Sequence, residues 1–275
     1  MGAQMTENIP QTSRASRITR IDLFSVFLRS FYLEAAWNFH QMQNFGFLYS
    51  MIPVIKKLYP DRPGRVRALK RHLQFFNTHP YFASLILGVA INLEEKKAAG
   101  SGVDAMDIVN FKDTLMSPLA ALGDSLFWAT WRPFTALIGT GFVFISFIDN
   151  RPFEVALIGP LLLLVLFNLP HFYLRWEGLI SGYRNGTAVI KKLQQINWQK
   201  WIERIRWTGL IITVIIIAHF VSVEKSSLLK MPSVTDLVFL SSVILFALGL
   251  KIRISPTILF FILITVCILL NYAGV

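Results

Sequence analysis

The chain has 275 residues, of which 54% are hydrophobic, and a formal net charge of +11. Its mean hydropathy of +0.52 is typical of a membrane protein and argues against an ordinary water-soluble domain. The positive charge does not indicate nucleic acid, because the basic residues lie in clusters between apolar runs and no nucleic-acid-binding motif accompanies them. We therefore expect a lipid bilayer around the protein and no nucleic acid as a partner.

Residue types that usually carry catalysis or bind metals are few and scattered. The single cysteine, Cys267, lies within an apolar run and cannot build a disulfide framework or a cysteine-based metal site. The histidines lack ligand spacing, and no Ser/His/Asp pattern, Cys/His pattern or phosphate-binding glycine loop is evident. The sequence therefore predicts no catalytic residue, no metal site and no cofactor. The histidines are His40, His72, His79, His171 and His219.

The N-terminal segment, residues 1–20, is polar and lacks the apolar core of a cleavable signal peptide. We expect it to be a tail on the cytoplasmic side of the membrane. Thr19 and Asp22 have the spacing of a helix-capping box, in which Asp replaces the usual Glu or Gln. Because apolar periodicity follows, a helix is predicted from near Asp22.

The next distinctive stretch, Trp37–Phe47, carries Asn38, Gln41 and Gln43 among apolar residues. Burying amides in an apolar helix is costly unless they find partners. These side chains are therefore expected to face a polar ligand or another subunit. Packing alone is the alternative for the apolar residues around them.

Asn77 and Thr78 follow a basic block, Lys56–His72, which holds seven Lys or Arg residues and is expected in the cytoplasm against lipid headgroups. The next dipeptide, His79-Pro80, should interrupt the helix, because the residue before a proline is pushed out of the helical region. Asn77 and Thr78 would then lie at a helix end. A plain C-terminal cap and a ligand contact are both open for them.

The central segment, Leu115–Pro133 (LMSPLAALGDSLFWATWRP), contains Ser-Pro and Gly-Asp pairs that favour a loop. At membrane depth, the free amides of such a loop and the carboxylate of Asp124 must face protein or a water-filled cavity, as in the broken helices of transporters. Ser117, Asp124 and Trp128 are therefore candidate ligand-facing residues. The alternative is an ordinary connecting loop in which Asp124 caps a helix that begins near Leu126.

Long apolar runs fill the C-terminal half, each near the roughly 17–25 residues of a tilted membrane span. A second basic block, Arg175–Arg206, also has seven Lys or Arg residues and separates the second run from the third. With both basic blocks in the cytoplasm, the first run leads outward, a tight turn follows at 149–152, and the C-terminus is extracytoplasmic. The five runs are Phe134–Ile148, Val155–Phe167, Thr208–Val223, Leu237–Leu250 and Ile254–Leu270.

Several of these segments resemble motifs of one bacterial protein family. The central segment is similar to the pattern GPLAG-(I/V)-GD-(S/P)-(I/L)-FW, followed by Arg-Pro. The chain thereby resembles the membrane subunit IID of the mannose/fructose/sorbose family of phosphotransferase system (PTS) sugar permeases. The other similar stretches are the opening Asp22–Ser30, Trp37–Phe47 (WN-(Y/F)-ERMQ-x-LG-(F/Y) in the family), Arg71–Pro80 ((R/K)HLEFFNT-x-P), Leu93–Glu95 (LEE) and Gly182–Gly186 (GY-x-x-G).

The resemblance implies an all-α integral membrane protein, with amphipathic and re-entrant helices in the N-terminal half and about five transmembrane helices in the C-terminal half. After the tail of residues 1–20, residues 21–275 are expected to form one IID domain. Its motifs lie in 21–133 and its spans in 134–275. The expected location is the bacterial inner membrane, with a cytoplasmic N-terminus.

The resemblance also implies that the chain translocates a sugar together with a IIC subunit, in a higher oligomer of IIC–IID pairs. In this family, separate IIA and IIB subunits relay phosphate through histidines to the sugar, so no phosphorylated residue is expected on this chain. The expected sugar-binding residues are Asn38, Gln43, Asn77, Thr78, Ser117, Asp124 and Trp128.

Some positions depart from the family pattern. Ser117 and Ala121 stand where the family has Gly, and His40-Gln41 replaces Glu-Arg. Added side chains would narrow a close backbone approach, which leaves room for a different sugar or for lost transport. The alternative function is therefore a degenerate homologue that acts as a membrane sensor or assembly partner. Neighbouring genes for intact IIA, IIB and IIC subunits would favour transport.

The predicted orientation can be tested by cysteine labelling in cells, in a variant with Cys267 replaced. A single cysteine introduced at residues 149–152 or at Val275 should react with a membrane-impermeant reagent from outside, because both basic blocks are placed in the cytoplasm. Labelling of either position only after membrane lysis would overturn this orientation.

Overall fold

The computed structural model of the chain describes residues 17–223 and, beyond them, residues 241, 245, 248, 262, 264 and 265. Residues 17–213 belong to one compact unit, and the chain from Val214 belongs to a second. The described residues form helices and no strand, with isolated bridges only at Asn38–Met42 and Met42–Phe76. The helices are α1 (Arg20–Ser30), α2 (Asn44–Leu58), α3 (Arg62–His72), α4 (Ala83–Ala98), α5 (Ala105–Gly123), a π-helix (Asp124–Trp131), α6 (Arg132–Ile148), α7 (Phe153–Ala156), α8 (Ile158–Asn185), a 3₁₀ turn (Gly186–Ala188), α9 (Val189–Gln195) and α10 (Trp198–Val223).

The capping box at the start of α1 is present as predicted. The backbone N–H of Asp22 donates to Thr19 Oγ1 (3.4 Å), and the backbone N–H of Thr19 donates to Asp22 Oδ2 (2.7 Å). Lys57 Nζ lies 2.6 Å from the same carboxylate oxygen and links α1 to α2. The local signal for this helix was therefore sufficient.

Two of the polar stretches lie outside helices. Residues 31–43 form turns rather than the expected amphipathic helix, and α2 begins only at Asn44. Asn77 and Thr78 were predicted at a helix end, but α3 already ends at His72 and α4 begins at Ala83. Asn77 and Thr78 thus lie in the connection between two helices.

The prediction of a loop in the central segment is wrong. Residues 105–148 form one continuous helical stretch, with Pro118 inside α5 and Asp124 at helical backbone angles (φ −61°, ψ −46°). Asp124 therefore cannot act as the predicted N-terminal cap, which needs an extended backbone. The helix persists because Leu115 and Leu119 pack into the core, which offsets the hydrogen bond that proline removes.

Two helical stretches, Ala105–Ile148 and Phe153–Gln195, are long and apolar enough to cross a membrane. Residues 149–152 connect them, and α8 extends well beyond the predicted Val155–Phe167. The predicted span Thr208–Val223 forms the second part of α10. The last two predicted spans, Leu237–Leu250 and Ile254–Leu270, lie outside the described residues except for single helical positions.

Helix α4 lies at the centre of the first unit. Every residue from Ala83 to Ile91 is buried, and its most extensive packing is with α8. The two backbones approach closely because glycines face each other. A Cβ on Gly88 would overlap the carbonyl of Leu179, and a Cβ on Gly182 would lie 2.5 Å from the carbonyl oxygen of Leu85. This small-residue packing is typical of helix pairs in membranes.

A buried carboxylate, Glu94, ties the end of α4 to its neighbours. Arg71 donates to both carboxylate oxygens (Nε to Oε1, 2.8 Å; Nη2 to Oε2, 2.9 Å), and Tyr59 donates through its hydroxyl at 2.6 Å. His72 Nε2 lies 2.8 Å from Oε1. Burial alone would raise the pKa of Glu94, but the hydrogen bonds from His72 and Arg71 outweigh it and lower that pKa from 4.5 to about 2.

The glycine contact predicts a difference between two alanine substitutions on α8. Gly182→Ala should lower stability by about 1–3 kcal/mol, because its Cβ meets backbone atoms of α4. Gly178→Ala is the matched control, since its Cβ comes no closer than 3.4 Å to α4 and gains the same helix propensity. Melting temperatures in detergent measure the stability of the two variants, and equal values for them would contradict the packing argument.

The Glu94 network predicts an acid-sensitive stability. Glu94→Gln should cost about 3–5 kcal/mol at neutral pH, because it leaves the buried guanidinium of Arg71 without a counter-charge. In the wild type, the lowered pKa gives stability that is full above pH 4.5 and is lost as the pH falls towards 2. The melting temperature of Glu94→Gln should lack that dependence, whereas the exposed Glu154→Gln control should melt like the wild type throughout.

Candidate functional site

The central segment presents one exposed polar face. Ser117, Asp124 and Trp128, three of the predicted ligand-facing residues, all lie on it, and Trp128 is 40% exposed. Ser117 and Asp124 are two helical turns apart, about 10 Å along the axis. The opposite side of the same stretch is buried in the core of the first unit. Four small residues on the exposed face recur at every fourth position: Ser117, Ala121, Ser125 and Ala129.

The C-terminal part of this face lies on the π-helix. Thr130 Oγ1 donates to the carbonyl of Ser125, five residues earlier (2.8 Å), and Pro133 lacks the N–H that would continue the regular pattern. Wide turns of this kind are rare and occur often at functional sites. The π-helix begins at Asp124, whose side chain forms no hydrogen bond to another residue in the part of the chain that the structure describes.

His79 lies directly behind this face. A Cβ on Gly123 would overlap its side chain, and its ring stacks on Phe127 with centroids 5.3 Å apart. Burial, with the nearby Arg175 charge, lowers the pKa of His79 to about 4, so the imidazole is neutral. Its Nδ1 accepts from the Tyr81 backbone N–H (3.3 Å), which places the proton on Nε2, and Nε2 finds no acceptor among the described residues.

The His79 ring is also 5.4 Å from the indole of Trp128, and the guanidinium of Arg132 lies 5.4 Å from the same indole. Trp128 is thereby held between a neutral donor and a cation, with part of its ring still exposed. Such a ring can cover the apolar face of a ligand while the neighbouring groups bind its polar atoms.

A second group of buried polar side chains continues from His79 towards α8. Tyr81 stacks on His171 (4.5 Å, 10° between planes), and the guanidinium of Arg175 lies 5.3 Å from the Tyr81 ring. Arg175 Nη1 donates to the carbonyl of Ser30 (2.9 Å), whereas Arg175 Nε and His171 Nδ1 have no partner in the described part. Buried polar groups left without a partner are candidates for a functional role.

Sequence reasoning missed this second group. Its members are 96 residues apart, from His79 to Arg175, and nothing local to either position signals the contact. For His79 alone, Gly123 was a usable clue, because a glycine in a helix often marks a close approach by another side chain.

Gln43 and Thr78 are brought together, but they bind each other. Gln43 Oε1 accepts from the Thr78 backbone N–H (3.0 Å), and Gln43 Nε2 donates to the Thr78 carbonyl (2.9 Å). The Thr78 hydroxyl donates to the carbonyl of Met116 on α5 (3.0 Å). Both side chains are buried, so they fix the 73–82 connection against α5.

Asn77 and Asn38 lie at different places. Asn77 is exposed, and its backbone N–H lies 3.3 Å from Met116 Sδ, one residue before Ser117. Asn77 is thus beside the N-terminal end of the exposed face, at Ser117. Asn38 closes a local turn, because its Oδ1 accepts from the backbone N–H groups of His40 (3.1 Å) and Gln41 (2.9 Å). In the residues that the structure describes, no group of three His, Cys, Asp or Glu side chains could hold a metal ion.

Comparison with known proteins gives consistent matches. A family model described as the PTS system mannose/fructose/sorbose family IID component matches residues 17–275. The mannose-specific EIID component of Escherichia coli (strain K12) is 40% identical over 203 residues, 74% of this chain and 69% of that protein. The sorbose-specific EIID component of Lacticaseibacillus casei is 33% identical over 277 residues, 94% of this chain and 95% of that protein.

Solved structures agree with this assignment. A chain in the cryo-EM structure of the mannose transporter ManYZ in complex with microcin E492 is 31% identical, with a TM-score of 0.57, and covers 94% of this chain and 98% of its own. Another chain, described as a membrane protein, is 30% identical, with a TM-score of 0.71, and covers 94% of this chain and 99% of its own length. Since the family model covers nearly the whole chain, this protein belongs to the mannose/fructose/sorbose family of PTS IID components, which are membrane permease subunits.

Proposed function

We propose that this chain pairs with a IIC subunit to bind and translocate a hexose or amino sugar, while separate IIA and IIB subunits phosphorylate it. The mannose and sorbose specificities of its relatives support a sugar as the substrate. The chain itself contributes binding and translocation, without catalysis or a phosphorylated residue. It spans the bacterial inner membrane several times, with a cytoplasmic N-terminus and an extracytoplasmic C-terminus, as one domain from residue 21 onwards.

The observation that carries this proposal is the exposed face of the central segment, on which Asp124 has no hydrogen-bond partner among the described residues. A carboxylate exposed on an apolar helix is costly in a bilayer unless a polar partner or water meets it. Sugar hydroxyls donate hydrogen bonds that a carboxylate accepts, and the apolar face of a sugar ring can lie against Trp128. Asn77 and Ser117 supply further polar groups on or beside the same face.

The small residues on this face support the proposal that a helix of the IIC subunit packs against it, in addition to the sugar. Ser117, Ala121, Ser125 and Ala129 let another backbone approach closely, as small residues do between membrane helices. Ser117 and Ala121, the two departures from glycine in the family pattern, are both exposed. Their extra atoms therefore affect only what packs on this face, and not the folding of this chain.

Gln43 and Thr78 act in this proposal by positioning. Their mutual hydrogen bonds, and that from Thr78 to Met116, hold Asn77 beside Ser117. Asn38 shapes the turn that leads into Gln43. We therefore assign direct sugar contact to Asn77, Ser117, Asp124 and Trp128, and support of that contact to Asn38, Gln43 and Thr78.

Substitution of Asp124 tests the proposal in cells with the complete permease. Asp124→Asn should reduce sugar uptake about tenfold or more, because hydrogen bonds to charged groups contribute about 1.5–3 kcal/mol. Asp124→Ala should reduce it at least as much. Neither should change the melting temperature of the purified complex, since Asp124 caps no helix and is exposed.

Glu154→Gln, an exposed acid on α7 outside the central segment, is the matched control and should transport normally. Normal uptake in Asp124→Asn would contradict the proposed sugar contact. A wild-type chain that assembles with IIC but supports no uptake of any hexose or amino sugar would favour the alternative, a sensor or assembly partner without transport.

A further inference from the structure

A cavity of about 180 Å³ lies between α4, the C-terminal part of α8 and α9, away from the face of Asp124. Leu85, Leu174, Val189, Leu193 and Trp198 give it an apolar wall. An apolar cavity of about 150 Å³ is enough to take a six-carbon ring, so this one can hold part of a hydrocarbon chain. The cavity is partly open to the surroundings.

The cavity lies at the boundary between the apolar and the polar parts of the molecule. Helix α8 carries no Lys, Arg, Asp or Glu residue up to Leu174, and its next residues include Arg175 and Glu177. Helix α9 and the first turns of α10 are rich in basic residues. Trp198 lines the cavity and donates its indole N–H to the carbonyl of Leu193 (3.2 Å). Tryptophan at such a boundary is typical of the membrane interface, where lipid headgroups begin.

The polar lining carries one charge of each sign. Lys192 on α9 and Glu177 on α8 both line the cavity, both are exposed, and they form no ion pair with each other. Lys192 Nζ is 3.0 Å from Asn185 Oδ1, which leaves two of its three donors for another ligand. An apolar cavity with a separate cation and anion at its mouth is complementary to a zwitterionic amphiphile.

We propose that this cavity is a binding site for a zwitterionic phospholipid with a primary ammonium headgroup. One acyl chain enters the apolar cavity, the phosphate lies against Lys192, and the ammonium lies against Glu177. An anionic phospholipid would satisfy Lys192 but would bring its negative charge beside Glu177. A lipid in this cavity does not occupy the proposed sugar site, because none of the lining residues lies on the face of Asp124.

The test uses the full chain, co-expressed with its permease partner, delipidated in detergent and titrated with single lipids under native mass spectrometry. Phosphatidylethanolamine should bind about fivefold more tightly than phosphatidylglycerol, the scale of one charge contact near a membrane surface. Glu177→Gln should abolish this preference. Lys192→Gln should weaken both lipids about fivefold, while the neighbouring Lys191→Gln, which does not line the cavity, should change neither.

Filling the cavity is a separate check. Ser181→Leu places a larger side chain in the cavity and should lower phosphatidylethanolamine binding. Ser181→Ala is the control, because it loses the same hydrogen bond from Asn185 but does not fill the cavity. If Ser181→Leu does not fold, the charge variants decide. Equal binding of the two lipids by the wild type, tighter binding of phosphatidylglycerol, or a preference that survives Glu177→Gln would each overturn the proposal.

Discussion

The first unit depends on one constraint: polar groups buried in so apolar a chain need partners from the chain itself. Glu94 is where this requirement is most concentrated, since its two carboxylate oxygens meet Tyr59, Arg71 and His72 at once. Each of these residues lies at or just beyond the end of a helix. The carboxylate therefore fixes where α2 and α3 end relative to α4. A charge in this position stabilises the fold only when its whole set of donors is present.

The same constraint explains why several family motifs contact one another. Arg71-His72 and Glu94 come from two motifs that are separate in the sequence, yet they form a single hydrogen-bonded network around one carboxylate. Glu95 accepts from the hydroxyl of Tyr183 in the GY-x-x-G motif at 2.7 Å. The central segment differs, because its carboxylate and small residues face away from the chain. Motif residues thus divide into those that hold helices together and those that are left for a partner or substrate.

Local signals in the sequence predicted local features. The capping box of α1, the helices over the first two apolar runs and the connection at 149–152 need only neighbouring residues, and the structure contains them. The prediction of a loop in the central segment was wrong because Pro118 and Gly123 weaken a helix only locally. Burial of one side of α5 and the packing of Gly123 on His79 are long-range effects that override such preferences. For the same reason the π-helix and the contacts of Arg175 could not be predicted from spacing.

The π-helix has a geometric consequence for the face that it carries. On a regular α-helix of 3.6 residues per turn, positions four apart drift around the axis by about 40° at each step, so such a row winds away from its starting side. A π turn holds more residues and rotates less per residue, which reverses this drift between Ser125 and Ala129. The row from Ser117 to Ala129 therefore winds less around the helix axis than it would on a regular α-helix. Small side chains along one side over this length leave room for the close approach of a neighbouring helix.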